Sequence, residues 1–241
     1  MEEVLVDKNY VAYLKNLSIL LTDMRHVSAA SIVDNLIYKK ADFNFDPANK
    51  VVIIVGPPGI GKSTISGVIL GGLGLKSYDS DVYLKNILKK EKMPLRMNEY
   101  TEEQLEKMYE IRNGIFTAID KAYNRSFEKE EGLIINVTGS DYNKTVGLAE
   151  KLRSKGYSVK VLYVDGSLDM ALEGNLRRDR SIPVDGENGL INKYNLASGN
   201  KEAFKDYFKD NFYYYYNSYD KAPDLRNKEL QILSKKFLNW N

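Results

Sequence analysis

The segment from Val51 to Ser63 constrains the fold of this chain more than any other part of its sequence. Residues 51–55 read VVIIV, an unbroken β-branched run that is typical of a strand buried on both faces of a parallel sheet. The loop that follows, GPPGIGKS at residues 56–63, matches the phosphate-loop pattern G-x-x-x-x-G-K-S/T. A helix is predicted over residues 63–70, so the expected unit is a strand, a glycine-rich loop and a helix N-terminus that together bind phosphate.

The phosphate-loop pattern assigns a role to most residues of the loop. Lys62 is expected to reach the β- and γ-phosphates of a nucleoside triphosphate, and Ser63 is expected to ligate Mg²⁺. Pro57 and Pro58 have no N–H to donate, so they are expected to stiffen the outer edge of the loop. ATP or GTP, together with Mg²⁺, are therefore the expected cofactors. The predicted nucleotide-binding residues are Gly56, Gly59, Ile60, Gly61, Lys62, Ser63 and Thr64.

Short apolar runs and helical patterns alternate along the chain after the loop. Strands are predicted at residues 73–78, 133–137 and 159–164, each followed by a segment with helical periodicity. Strand and helix in alternation predict βαβ units and an α/β fold, the three-layer P-loop NTPase fold with a parallel sheet flanked by helices. Such sheets bind ligands at the carboxyl ends of their strands. The predicted helix N-caps are Thr101, in a capping box with Gln104, Asp141 and Ser167.

The two ends of the chain carry weaker signals. Residues 1–45 contain two amphipathic patterns and are predicted to form an N-terminal helical extension, whereas residues 46–241 are assigned to the phosphate-loop domain. Residues 212–216, FYYYY, are predicted to be a strand or one face of a helix, with rings that serve as core or interface rather than as a base-stacking surface. An amphipathic helix is predicted over residues 225–240.

Two aspartates follow the second predicted strand, at the end of the sheet where ligands bind. Asp81 starts the next predicted helix, where a carboxylate can orient an acceptor hydroxyl and take its proton. Asp81 is therefore the candidate catalytic base. Asp79 is a candidate for positioning the acceptor substrate or for holding magnesium through water. The alternative interpretation for both residues is a helix cap, because Asp is favoured at that position.

Arginines cluster at the end of the helix that follows the fourth predicted strand, in the sequence LRRDRSIP. Their place in the chain fits a lid that closes over the triphosphate and neutralises charge on the transferred group. Arg178 and Arg180 are the candidate catalytic arginines, with Arg177 in reserve. The alternative is a solvated helix C-terminus, where the helix dipole favours basic residues.

Polar residues also follow the third and fourth predicted strands. Thr138 is a candidate for binding a polar acceptor, and Asp141 is expected at least equally to be only a helix cap. Asp165 stands where a Walker B acid would, but the following Gly-Ser favours a turn and a helix start over a metal role. His26, far from the loop in sequence, is interpreted as structural.

The composition narrows the kinds of site that the chain can build. The absence of cysteine excludes disulfides and thiolate zinc sites, and a single histidine disfavours a histidine-built metal site. The net charge of +2 gives no global field that would draw the protein to nucleic acid or lipid. Acidic residues at the N-terminus and the lack of a long apolar run indicate a soluble, cytoplasmic protein with no membrane partner.

Together these motifs resemble the P-loop kinases of the zeta toxin type, which are related to chloramphenicol phosphotransferase and the polynucleotide 5′-kinases. The resemblance covers about residues 50–195 and rests on GPPGIGKS, YDSDVY, LIINVTG and ALEGNLRRDRSIP. It implies that the phosphate-loop lysine, an aspartate and two arginines act on ATP and the acceptor hydroxyl. Some members phosphorylate a UDP-linked amino sugar. Asn136 replaces the acid that the family carries at the end of the third strand, which would suit a different acceptor. The implied catalytic residues are Lys62, Asp81, Arg178 and Arg180.

The function expected from these features is phosphotransfer from ATP or GTP to a hydroxyl of a small substrate. The acceptor classes considered are a nucleotide sugar, a sugar, a nucleoside and a polynucleotide 5′ end. One alternative is a nucleoside monophosphate kinase, whose anionic acceptor needs no catalytic carboxylate. Another is a non-catalytic regulatory protein that binds a nucleotide, since fold alone does not fix function. The N-terminal helices are candidates for binding a protein partner.

Overall fold

The computed structural model describes residues 45–96, 99–178 and 180–240. The helical extension that the sequence predicts for residues 1–45, with His26, lies outside the described residues except at its last position. Within the described part of the chain, no helix combines the length and the apolar character needed to cross a bilayer.

A five-stranded parallel sheet forms the centre of the fold, in the order β2-β3-β1-β4-β5. The predicted α/β fold with a parallel sheet flanked by helices is thereby confirmed. The central strand is the β-branched run before the glycine-rich loop, whose residues Val51 to Val55 are all 0% exposed. Burial on both faces is what such a run of branched side chains favours. The strands are β1 (Lys50–Val55), β2 (Lys76–Ser77), β3 (Leu133–Asn136), β4 (Ser158–Asp165) and β5 (Phe212–Tyr216).

Eight α-helices lie within the described residues, together with a short 3-10 turn at Lys209–Asn211. The helices are α1 (Lys62–Leu70), α2 (Ser80–Lys90), α3 (Glu102–Glu128), α4 (Tyr142–Ser154), α5 (Leu168–Leu176), α6 (Leu190–Gly199), α7 (Lys201–Phe208) and α8 (Pro223–Leu238). All three predicted N-caps are confirmed. Thr101 and Gln104 form a capping box ahead of α3, and Asp141 and Ser167 cap α4 and α5 through their side chains.

The sequence prediction was wrong in the length of β2 and incomplete beyond residue 195. Only Lys76–Ser77 pair as β2, because Gly72 and Gly74 turn the preceding chain with φ values of +87° and +72°. Residues 212–216, for which strand and helix were both considered, form β5 beside β4. Helices α6 and α7 have no counterpart in the prediction.

The chain divides into two compact units. The larger unit, Ala48–Lys62 with Lys76–Tyr219, contains the whole sheet. One face of its sheet packs on α4 and α7, where Ala149 and Leu152 of α4 and Phe204 and Phe208 of α7 are almost fully buried. A second cluster, formed by Leu84, Leu88, Met108, Ile115 and Ile119, joins α2 to α3.

The smaller unit contains Ser63–Leu75 and residues 220–240, hence most of α1 and the whole of α8. Within it, Ser234 Oγ of α8 donates a buried hydrogen bond of 2.8 Å to the carbonyl of Ile69 in α1. The predicted closing helix at residues 225–240 is confirmed, with a start at Pro223, a favoured residue in the first turn of a helix.

Candidate active site

The glycine-rich loop joins β1 to α1 and lies too close to neighbouring backbone for side chains at two of its glycines. Gly56 and Gly59 have φ values of +146° and +84°, which favour glycine. A β-carbon at Gly56 would lie 2.0 Å from the carbonyl oxygen of Val164, and one at Gly59 would lie 2.2 Å from that of Ala171. With Ile60 0% exposed, the loop is fixed against β4 and α5.

Lys62 folds back over this loop. Its Nζ donates hydrogen bonds of 2.8 Å to the carbonyl of Gly56 and 2.7 Å to that of Pro57. The pKa of Lys62 falls from 10.5 to about 7, chiefly because of burial and also because of the nearby charge of Arg178, while the charges of Asp81 and Asp79 oppose the change. The ammonium group therefore lies among charged groups from two other segments of the chain.

The hydroxyl residues of the motif occupy the first turn of α1. Ser63 is exposed and Thr64 is half-buried. No group of three or more His, Cys, Asp or Glu residues that could hold a metal occurs in the part of the chain that the structure describes. Mg²⁺ in phosphate sites usually takes one or two protein oxygens and fills its remaining positions with phosphate oxygens and water. The exposed hydroxyl of Ser63 at the start of α1 fits that pattern.

The two aspartates after β2 have different partners. Asp79 is the N-cap of α2, and its Oδ1 accepts a hydrogen bond of 2.8 Å from the backbone N of Asp81. The Oδ1 of Asp81 accepts a hydrogen bond of 2.9 Å from Nη1 of Arg180, while the Asp81 side chain stays 60% exposed. The alternative of a helix cap therefore applies to Asp79. The carboxylate of Asp81 remains accessible.

The three arginines after α5 separate into two groups. Arg177 forms an ion pair with Glu173 one helical turn earlier and lies over the ring of Tyr219, 5.3 Å from its centroid. Arg180 contacts Asp81, and the charge of the exposed Arg178 acts on Lys62. The structure therefore brings Arg178 and Arg180 towards the loop and the aspartates, and it engages Arg177 on the helix surface.

Asn175, for which the sequence predicts no role, joins the two ends of residues 175–182, which we call the arginine segment. Its Nδ2 donates to the carbonyl of Ile182 at 2.9 Å, and its Oδ1 accepts from the backbone N of the same residue at 3.0 Å. Asn175 itself is buried, and this pair of partly buried hydrogen bonds fixes both ends of the segment. Asn175 lies one helical turn after Ala171 and Leu172, and a polar residue at that apolar spacing is the signal that could have revealed it.

Lys193 in α6 responds to the charges of Asp81 and of two arginines, and neither Lys193 nor Arg112 belongs to a recognisable motif. Burial lowers the pKa of Lys193 in α6, the charges of Arg112 in α3 and of Arg180 lower it further, and Asp81 opposes them. Lys193, Arg112 and Arg180 come from three elements that are far apart in sequence, so periodicity and spacing gave no signal for the group. We call these three residues the cationic cluster.

The loop after β3 lies beside the start of the glycine-rich loop. A β-carbon at Gly139, whose φ is +74°, would lie 2.5 Å from Cγ1 of Val55 and 3.7 Å from the backbone N of Gly56. Asn200 holds this loop by donating to the carbonyl of Gly139 at 3.0 Å. Thr138, the predicted acceptor-binding residue, is exposed next to it, with its Oγ1 3.0 Å from Oγ of Ser140.

Asp165, at the end of β4, has protein partners at both carboxylate oxygens. Its Oδ1 accepts from the backbone N of Gly166 at 2.9 Å, and its Oδ2 accepts from Tyr214 Oη at 3.0 Å and from Lys201 Nζ at 3.3 Å. The side chain is only 10% exposed. These contacts agree with the predicted turn and helix start rather than with a Walker B metal ligand.

Several solved structures share the fold. A structure from the PezAT toxin–antitoxin system of Streptococcus pneumoniae is 16% identical, with 87% of this chain and 93% of that chain covered and a TM-score of 0.50. The AvrRxo1-ORF1:ORF2 complex with sulphate ions is 13% identical, with 86% and 64% covered and a TM-score of 0.52. The same complex with ATP is 13% identical, with 94% and 73% covered and a TM-score of 0.51.

Sequence comparison gives the family as well. No curated protein matches the chain significantly. The family model described as zeta toxin matches residues 34–189, which is more than half of the chain and includes the glycine-rich loop, both aspartates after β2 and the arginine segment. The chain therefore belongs to the zeta toxin family of P-loop kinases.

Proposed function

We propose that this protein is a kinase that transfers the γ-phosphate of ATP, or GTP, to a hydroxyl of a small acceptor. The observation that carries the proposal is the meeting of charged groups from three segments: Lys62 in the glycine-rich loop, Asp81 at the start of α2 and Arg180 after α5. Membership of the zeta toxin family supports the same reaction. ATP in the AvrRxo1 complex, which shares the fold, supports the choice of nucleotide.

The nucleotide's phosphates would bind to the amides of the glycine-rich loop and the N-terminus of α1. Lys62 would exchange its two carbonyl partners, Gly56 and Pro57, for oxygens of the β- and γ-phosphates, so the ammonium group keeps its hydrogen bonds. The same phosphate site would include Gly59, Ile60, Gly61 and Thr64. The exposed hydroxyl of Ser63 would hold Mg²⁺, which when bound neutralises charge on the β- and γ-phosphates.

Asp81 would orient the acceptor hydroxyl and take its proton as the oxygen attacks the γ-phosphate. The hydrogen bond from Arg180 fixes the carboxylate of Asp81 in one orientation while leaving it reachable. Arg178 and Arg180 would neutralise negative charge on the transferred group. Thr138 and the free oxygen of Asp79 would contact the acceptor beside this carboxylate.

The cationic cluster around Asp81 bears on the class of acceptor. Lys193, Arg112 and Arg180 lie close enough that each guanidinium affects the pKa of Lys193. Neighbouring cations that repel one another are stabilised by a bound anion. Such a group of cations favours an acceptor that carries phosphate as well as a hydroxyl, such as a nucleotide sugar or a polynucleotide 5′ end, over a plain sugar or nucleoside.

The same cations favour one rival, a nucleoside monophosphate kinase, whose acceptor is itself a phosphate. The two functions differ in their need for a base, because a phosphate acceptor is already ionised and a hydroxyl is not. A kinase acting on phosphate would keep most of its activity when Asp81 is replaced by Asn. A kinase acting on a hydroxyl would lose it.

The direct experiment supplies the purified protein with labelled ATP, Mg²⁺ and a metabolite extract, and identifies the labelled product by mass spectrometry. A phosphorylated nucleotide sugar or polynucleotide end is the expected product. The Lys62→Ala variant should yield none, since it removes the ammonium group that is proposed to contact the β- and γ-phosphates. Tight ATP binding without any labelled product from a broad set of acceptors would instead support a regulatory protein.

A further inference from the structure

Asn217 is a buried side chain of the larger unit that no sequence motif includes. It follows β5 directly and is 8% exposed. Its backbone N donates to the carbonyl of Asp165 at 2.9 Å, which extends the pairing of β5 with β4 by one residue. Its side-chain Nδ2 donates to the carbonyl of Ile60 at 2.9 Å. One residue therefore ties the end of the sheet to the glycine-rich loop.

The hydrogen bond to Ile60 fixes the orientation of the next amide in the loop. A trans peptide is planar, and its C=O and N–H point in opposite directions. While the carbonyl of Ile60 points at Asn217, the N–H of Gly61 must point away from Asn217. That N–H is one of the donors predicted to bind phosphate, so the side chain of Asn217 determines where the donor points without touching a ligand.

The packing around Asn217 leaves it little room to move. A β-carbon on Gly61 would lie 3.0 Å from Nδ2 of Asn217, so the amide lies directly against this glycine. A β-carbon on Gly166 would lie 3.2 Å from the backbone carbonyl oxygen of Asn217 and 3.4 Å from Cγ2 of Ile60. Gly166 is itself held by the Asp165 carboxylate and by Tyr194, whose Oη donates to its carbonyl at 2.8 Å.

We propose that Asn217 is a positioning residue that presets the Ile60–Gly61 peptide of the glycine-rich loop for the phosphates of the nucleotide. The proposal rests on the proposed function in one respect, namely that this loop binds those phosphates. It adds a residue more than 150 positions from the loop to the machinery of nucleotide binding. A carbonyl without this donor would be buried and unpaired, and its peptide could rotate.

Two variants of the full chain test the role. Asn217→Asp has nearly the same shape but presents an oxygen to the Ile60 carbonyl, and Asn217→Ala removes the amide altogether. The matched control is Asn124→Asp, the same chemical change at an exposed position of α3. Calorimetry measures the dissociation constants of ATP, of adenosine and of inorganic tripolyphosphate, and circular dichroism measures the thermal melting of each variant.

Both Asn217 variants should bind ATP and tripolyphosphate about tenfold or more weakly, because a buried carbonyl loses its donor and one phosphate-binding amide is released. Adenosine affinity should stay within about twofold of wild type, as should every constant of Asn124→Asp. A purely structural role for Asn217 would weaken all ligands together with the melting temperature and would leave the ratio of ATP to adenosine affinity unchanged.

The outcomes separate this inference from the proposed function. If the wild-type protein binds ATP no better than adenosine and Lys62→Ala changes nothing, the loop does not bind phosphates, and both proposals are overturned. If the wild type favours ATP, Lys62→Ala abolishes that preference, and folded Asn217 variants keep it, only the positioning role is overturned. Failure of both Asn217 variants to fold would also overturn it, in favour of a structural role.

Discussion

Asp81 and Arg180 stand 99 positions apart in the sequence, and Nη1 of the arginine donates a hydrogen bond of 2.9 Å to Oδ1 of the aspartate. The two side chains differ in exposure, with 60% of the Asp81 side chain exposed and only 13% of the Arg180 side chain. A reachable carboxylate fixed by a shielded cation is suited to orient a second molecule. This pair is the basis of the first two predictions.

Replacing Asp81 by Asn should reduce the turnover number by about 10²- to 10⁴-fold, the usual contribution of a general base. ATP affinity should change little, because the carboxylate is proposed to contact the acceptor rather than the nucleotide. Single-turnover transfer and ATP calorimetry measure the two effects separately. The control is Asp120→Asn at an exposed position of α3. Full transfer by the Asp81 variant would favour a nucleoside monophosphate kinase.

The arginines should differ in their effect on turnover. Arg180→Ala should lower it by about 10³-fold, the order expected for an arginine that stabilises a transferring phosphoryl group. Arg177→Ala should leave turnover near the wild-type value, because Arg177 pairs with Glu173 at the surface and exposed ion pairs contribute little. Equal losses in the two variants would contradict the assignment of Arg180.

ATP binding should be coupled to proton uptake by Lys62. In the free protein burial lowers the pKa of Lys62 to about 7, so the amine is mostly neutral above that pH. The phosphates of ATP favour the charged form and raise the pKa. Binding should therefore take up as much as about one proton near pH 8.5, and ATP affinity should fall as the pH rises above 7.

Calorimetry in buffers of different ionisation enthalpy measures this proton uptake. The matched control is Lys62→Arg, because a guanidinium stays protonated throughout the range and has no proton to gain. Equal heats in all buffers for the wild-type protein would show that Lys62 is already charged before the nucleotide binds.

Gly59→Ala should abolish tight ATP binding. The added β-carbon would lie 2.2 Å from the carbonyl oxygen of Ala171 at a φ of +84°, so the loop must move away from α5. Gly114→Ala is the matched control, because a β-carbon at Gly114 in α3 meets nothing within 4 Å. That variant should be more stable by about 0.5–1 kcal/mol, the usual gain for alanine over glycine in a helix. Thermal melting and ATP calorimetry on both variants measure the contrast.

The sequence predicted those parts of the fold that depend on neighbouring residues. The β-branched run before the loop predicted the buried central strand, and the side chains of Thr101, Asp141 and Ser167 predicted where three helices begin. These signals are local, since a cap needs only a side chain and an amide two or three residues on. The start of β2 is set locally by Gly72 and Gly74, but its pairing is not local, because the backbone N of Lys76 donates to the carbonyl of Gly132 far along the chain.

The candidate site was predicted only where a motif runs continuously. The loop residues and Asp81 could be named because the pattern and the end of a strand locate them. Lys193, Arg112 and Asn217 could not be named, since each reaches the site from an element whose position depends on tertiary packing. A lone lysine or asparagine in a helix or after a strand has no spacing to a partner that a reader of the sequence could recognise.

The closure of the arginine segment by Asn175 also restricts how this chain can vary. The side chain of Asn175 donates one hydrogen bond to a main-chain atom of Ile182 and accepts one from another, so the bridge sets no requirement on the side chain at position 182. The number of residues between Asn175 and Ile182 is constrained, because an insertion or deletion there would carry Arg180 away from the carboxylate of Asp81. Natural variants should therefore exchange amino acids in this segment more readily than they change its length.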